Sequence, residues 1–129
     1  MRCSHCGECC RETEMMLSNR DIQHLEKAGY HRQVFMHYDK QGHARLRNRQ
    51  GFCVFYDTAK HRCGVYRSRP EGCRIYPVIY SEMEGIVLDS LCPETGTISE
   101  TERRRNGQKV VKLLQRIDHE AVGRRARLT

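Results

Sequence analysis

The chain has 129 residues, 38% of them apolar and 30% charged, with no tryptophan, a formal charge of +7 and eight cysteines. That length suits one domain with a modest core, and this composition leaves burial alone marginal for stability. No run of 18 or more apolar residues occurs and Met1-Arg2 leads straight into cysteine without an apolar leader, so neither a membrane span nor a signal peptide is expected and the protein reads as cytoplasmic.

Four of the eight cysteines, Cys3, Cys6, Cys9 and Cys10, fall within the first ten residues. Cys3, Cys6 and Cys9 repeat at intervals of three, the spacing that turns several thiolates onto one centre, and Cys10 either closes that shell or points elsewhere. Cys53, Cys63, Cys73 and Cys92 stand alone. In a reducing compartment such a set reads as metal ligands rather than as a disulfide framework. Metal binding to a site that exists only in the folded chain counts as folding free energy, on the order of 10 kcal/mol for structural zinc. The metal-free chain is therefore expected to be partly unfolded. Eight thiolates would lower the formal charge from +7 to −1, and two divalent ions would return it to +3.

Residues 11–16 read as a connector, and Leu17 to Ala28 as a helix. Ser18 is its expected N-cap with Asp21 as the reciprocal acid; Ile22, Leu25 and Ala28 form its buried stripe, and Gly29 terminates it. His24, beside that stripe, is expected at the surface. Val34, Phe35, Met36 and Tyr38 suggest a short helix or an extended segment, followed by a loop at 39–42. Ala44 to Arg47 reads as a short strand. Phe52 to Tyr56 is read as another, turning at Asp57 to His61 into a partner at Cys63 to Tyr66, so that Cys53 and Cys63 share one hairpin. Arg67 to Arg74 is expected to form a helical turn presenting Cys73, with Pro70 in its first turn. Val78 to Tyr80 and Ile86 to Leu88 read as a second strand pair.

From Ser99 the pattern becomes helical, with Ser99 as cap, Glu100 and Glu102 in the first turn, and a stripe of Val110, Leu113, Leu114, Ile117 and Ala121 expected to pack across the metal core. The outer face is basic: Arg103, Arg104, Arg105, Lys109, Lys112, Arg116, Arg124, Arg125 and Arg127. It is read as a solvated face or as a surface for a protein or nucleic-acid partner, and the segment 124–129 is expected to fray. Together these elements predict a small α+β, cysteine-rich domain over 1–129, with a metal core at 1–98 and a basic helix at 99–129.

Two ligand partitions stay open. Two tetrathiolate sites would suit zinc. Alternatively Cys3, Cys6 and Cys9 with Cys92, which precedes Pro93, echo the ferredoxin run that holds a 4Fe-4S cluster, leaving Cys10, Cys53, Cys63 and Cys73 as a second set. Both metals want four thiolates, so chemistry does not choose between them. His5 is read as tuning the site from beside the ligands. There is no glycine-rich nucleotide loop and no Ser/His/Asp order suggesting a triad, so no catalytic residue is assigned.

The run Cys3-x-x-Cys6-x-x-Cys9-Cys10, the isolated Cys53, the segment Cys63-Gly-Val-Tyr66-x-x-Arg69-Pro70-x-x-Cys73-Arg74-x-Tyr76-Pro77 and the final Cys92 resemble the CxxCxxCC cysteine-cluster family of zinc- or iron-chelating domains. The resemblance implies metal chelation through all eight cysteines. More distantly, through a longer relative, flagellin lysine N-methylase, it implies methyl transfer. In that motif Tyr66 and Tyr76 are read as packing beside thiolates, and Arg69 and Arg74 as offsetting their negative charge. Three functions follow as alternatives: a metal-binding module with zinc or an iron–sulfur cluster; an iron–sulfur redox or methyl-transfer enzyme; and a nucleic-acid-binding module using the basic helix.

Overall fold

The computed structural model describes residues 10, 11, 13–89, 92 and 95–128. The order of elements is β1 (Met16–Leu17), α1 (Asn19–Lys27), α2 (Arg32–Phe35), β2 (Met36–Tyr38), β3 (Ala44–Leu46), β4 (Asn48–Arg49), β5 (Phe52–Cys53), β6 (Tyr56–Asp57), β7 (Arg62–Cys63), α3 (Glu71–Ile75), β8 (Val78–Ser81), β9 (Gly85–Leu88) and α4 (Glu100–Leu128). The fold is α+β, as expected. Its sheets are small and antiparallel: β1-β3-β2, and the pairs β4-β5, β6-β7 and β8-β9.

The start of α1 follows local chemistry. The Asp21 N–H donates to Ser18 Oγ at 3.1 Å and the Ser18 N–H donates to Asp21 Oδ2 at 3.1 Å, a reciprocal capping box. Leu17 is not helical: it pairs with Ala44 in β1 and is fully buried. Of the expected stripe, Ile22 and Leu25 are buried, whereas Ala28 is exposed, because the helix ends at Lys27 and Ala28 has become its C-cap. Gly29 follows at φ +104°, and His24 is exposed as read. The segment after Tyr30 is both a helix and a strand, α2 passing directly into β2, with Phe35 and Met36 buried.

The expected hairpin joining Cys53 to Cys63 is corrected. Gln50 and Gly51 both adopt positive φ, +54° and +85°, forming a two-residue turn of the kind that matches strand twist. That turn folds β5 back onto β4, with Asn48 opposite Cys53. Cys63 belongs to the next hairpin, opposite Tyr56, whose loop is shaped by Asp57 Oδ1 accepting from the N–H groups of Ala59 and Lys60 at 3.0 Å each. The expected turn at 67–74 divides into a 3-10 turn at Tyr66–Ser68 and α3, with Pro70 capping α3 rather than occupying its first turn. The strand pair β8-β9 forms as read.

Two apolar clusters result. The first gathers Leu17, Ile22, Leu25, Phe35, Met36, Ala44, Leu46, Cys53 and Val65; the second gathers Ile75, Val78, Val110, Leu113 and Ile117. The chain links them twice, Met15 packing on the first and Met16 on the second, and likewise Cys73 and Ile75. Ser99 Oγ accepts from the Glu102 N–H at 3.1 Å, capping α4 as expected. The α4 stripe covers β8, α3 and the second cluster, so the helix packs on the 1–98 part of the chain and meets the Cys73 helix directly. Through the segment expected to fray, α4 is helical to Leu128. Arg124 Nη1 donates to the Gly42 carbonyl at 2.8 Å, Nη2 donates to Asn19 Oδ1, and the guanidinium lies 4.9 Å from the Tyr38 ring centroid. Gly42 permits this approach: it sits at φ +86°, and a Cβ there would come within 2.9 Å of the Ala121 carbonyl oxygen.

Candidate metal centre

Local structure gathers four of the cysteines around the first cluster. An antiparallel bridge joins Arg11 to Phe52, reinforced by the Arg11 guanidinium 5.6 Å from the Phe52 ring centroid. In an antiparallel bridge the residue before one partner faces the residue after the other, so Cys10 and Cys53 lie one step beyond it on the same side. Cys63 arrives on β7 and Cys73 on α3. Cys53 is buried within the first cluster, and Cys10, Cys63 and Cys73 pack against it half-buried. Cys92 is also buried, with its N–H donating to the Asp89 carbonyl at 3.2 Å. Cys3, His5, Cys6 and Cys9 lie outside the described residues. Among the described residues, no group of three His, Cys, Asp or Glu side chains is arranged to hold a metal ion.

Aromatic rings pack in and beside the same cluster. Phe52 stacks on Tyr56 at 4.9 Å, and Phe55 packs edge-on against Tyr30 at 5.1 Å and beside Phe35 at 5.7 Å. Aromatic walls lower the local dielectric, so a charged cluster there needs cationic or hydrogen-bonding neighbours.

Tyr66, Arg69, Arg74 and Tyr76 come together, lining a recess of about 100 Å³ with Ile98, Glu102 and Asn106 between the Cys73 segment and the first turns of α4. Their contacts are specific. The Arg69 guanidinium lies 3.9 Å over the Tyr66 ring while its Nε donates to the Tyr66 carbonyl at 3.0 Å. The Tyr76 hydroxyl donates to Asp89 Oδ2 at 2.8 Å, which ties the segment that follows Cys73 to the one that precedes Cys92. Arg74 is exposed on α3.

Asp21, expected as a capping acid, makes a second tie that the sequence did not reveal. Asp21, 5% exposed, completes the α1 capping box with one oxygen and with the other accepts from the Glu71 N–H at 3.1 Å. A single buried carboxylate thus joins the starts of α1 and of the Cys73 helix. The available signal was only that Asp21 has more than one acceptor oxygen.

The basic helix is partly committed inward. Arg124 is an internal anchor, and Arg116 Nη1 approaches Glu71 Oε2 at 3.6 Å. Arg103, Arg104, Arg105, Lys109 and Lys112 are exposed. No helix among the described residues is long and apolar enough to cross a membrane.

Comparison with curated proteins and with solved structures gave no match. A family model does match, over residues 2–93, more than two thirds of the chain, under the description "Putative zinc- or iron-chelating domain". The span takes in all eight cysteines and ends just before the basic helix, and on that evidence this chain belongs to the CxxCxxCC family of metal-chelating domains.

Proposed function

We propose that the chain is a single metal-binding domain in which the eight cysteines chelate zinc or an iron–sulfur cluster, and that the metal holds the 48–75 segment in place. The observation that carries this reading is the gathering of Cys10, Cys53, Cys63 and Cys73 on one apolar cluster by elements too short to stand alone. The strands β4 to β7 are two residues each and α3 is five. Isolated two-stranded hairpins are marginal in water, so a cross-link through bound metal supplies what these elements lack. The donor set fits either metal, being all thiolate, and Arg69 stands among the motif residues as a source of compensating positive charge.

Thiol alkylation tests the reading residue by residue. In the metal-loaded protein, cysteines that are ligands resist iodoacetamide until a strong chelator is added. Mass spectrometry then reports each position. Protection of all eight that chelation abolishes supports the proposal; alkylation of Cys53, Cys63 and Cys73 at the same rate before and after chelation overturns it.

A further inference from the structure

At the opposite end of the molecule from the Cys73 recess, the last turns of α4 meet the start of α1 and the loop after β2. With Arg32 of α2 and Tyr38 of β2 they form a cleft of about 430 Å³, lined also by Asp39, Lys40, Arg124, Arg125 and Arg127. Five cations from three separate parts of the chain converge there. The counter-charges are few. Arg32 is held by Glu26, at 2.9 Å. Asp39 belongs to Arg45: burial works against its charge, but the Arg45 guanidinium and the His43 and Gln41 N–H groups outweigh that and hold the carboxyl at about 2. Among the described residues no carboxylate lies within ion-pair distance of Lys40, Arg124, Arg125 or Arg127.

Helix-end cations compensate the partial negative charge of the last carbonyls, which accounts for one or two arginines on α4. It does not account for Lys40 and Arg32, which come from other elements. Two of the five cations are fixed in place, with Lys40, Arg125 and Arg127 exposed beside them. Arg124 is fixed by Gly42 and Asn19 and lies over Tyr38, whose hydroxyl accepts from Arg32 Nη1 at 3.4 Å. Planar guanidiniums held in position are the usual means of recognising phosphate oxygens, and the volume falls in the range of small-molecule sites.

We propose that this cleft binds a small phosphorylated molecule carrying at least two negative charges, such as a nucleoside diphosphate. None of the described cysteines lines the cleft, and the proposal does not rest on the metal-binding function. The test is calorimetric titration of the full metal-loaded chain with inorganic pyrophosphate and with ADP at low ionic strength, where exposed charges are least screened. Arg125→Glu/Arg127→Glu and, from a different element, Lys40→Glu are the cleft variants. Arg103→Glu/Arg104→Glu, at the other end of the same helix, is the control, and circular dichroism confirms folding of each. The expected result is one saturable site per chain, weakened at least about tenfold in both cleft variants and unchanged in the control. Absence of saturable binding up to millimolar ligand overturns the proposal, as does equal weakening in the control. Displacement of ADP by a single-stranded oligonucleotide that binds more tightly and loads several chains per strand also overturns it, making the surface a polyanion track.

Discussion

Replacing Asp21 removes one side chain and two ties. Its carboxylate accepts from the Ser18 N–H and the Glu71 N–H, both at 3.1 Å, at positions where Ser18 is fully buried and Asp21 is 5% exposed. A hydrogen bond to a charged group contributes roughly 1.5–3 kcal/mol net. The two bonds share one carboxylate, and partial hydration of the Glu71 N–H offsets some of the loss, so Asp21→Ala is expected to cost about 3 kcal/mol. Asp21→Asn keeps one acceptor and is expected to cost about half as much. Because Glu71 begins the helix carrying Cys73, the variant is also expected to release metal to a chelator faster than wild type. Urea unfolding of the metal-loaded protein, followed by far-ultraviolet circular dichroism, gives the free energies; chelator competition gives the metal release. Glu26→Ala, which breaks the exposed pair with Arg32, is the control and is expected to leave the midpoint unchanged. A loss below about 0.5 kcal/mol in Asp21→Ala, the level of an ordinary surface change, would refute the reasoning.

Ile117, 1% exposed in the second cluster, is expected to cost about 2–5 kcal/mol on truncation to alanine, measured by the same unfolding experiment. Cys73→Ser is expected to lose metal and much of the 48–75 order by hydrogen exchange, while Arg104→Ala, on the exposed face of α4, leaves both unchanged. The Asp39 carboxyl is held at about 2 against burial by Arg45 and the His43 and Gln41 N–H groups. Its folded-state value is depressed, so its stabilising contribution is present above the unfolded value of roughly 4 and is lost as pH falls toward the folded one. Carbon-detected magnetic resonance should show Asp39 titrating near 2, and Asp39→Asn should flatten that part of the acid transition.

What was legible in the sequence was local. The Ser18 and Asp21 box, the Ser99 cap, the β8-β9 pair and the Val110, Leu113, Ile117, Ala121 stripe each depend on residues within a few positions of one another, and each formed. What was missed depends on distant partners. Leu17 is drawn out of α1 by pairing with Ala44, a tertiary override of helix patterning. The Cys53 hairpin was misassigned because Gln50-Gly51 lacks the Asn-Gly or Asp-Gly signature of a two-residue turn, although its φ values are those of one. At the site, the motif brought Tyr66, Arg69, Arg74 and Tyr76 to one recess, but their partners were not legible: Arg69 stacks on Tyr66 and Tyr76 bonds Asp89. Arg124 read as one more surface cation, since only the folded chain brings Gly42 and Asn19 beneath it.

The central claim, that clustered thiolates hold a metal on which the fold depends, is met most directly by counting metal and acid-labile sulfide in protein purified without oxygen. A fixed stoichiometry is expected: about four irons with four sulfides for one cubane cluster, or about two zincs without sulfide for two tetrathiolate sites. A fully folded chain carrying no metal, with all its thiols open to reagent, would contradict it.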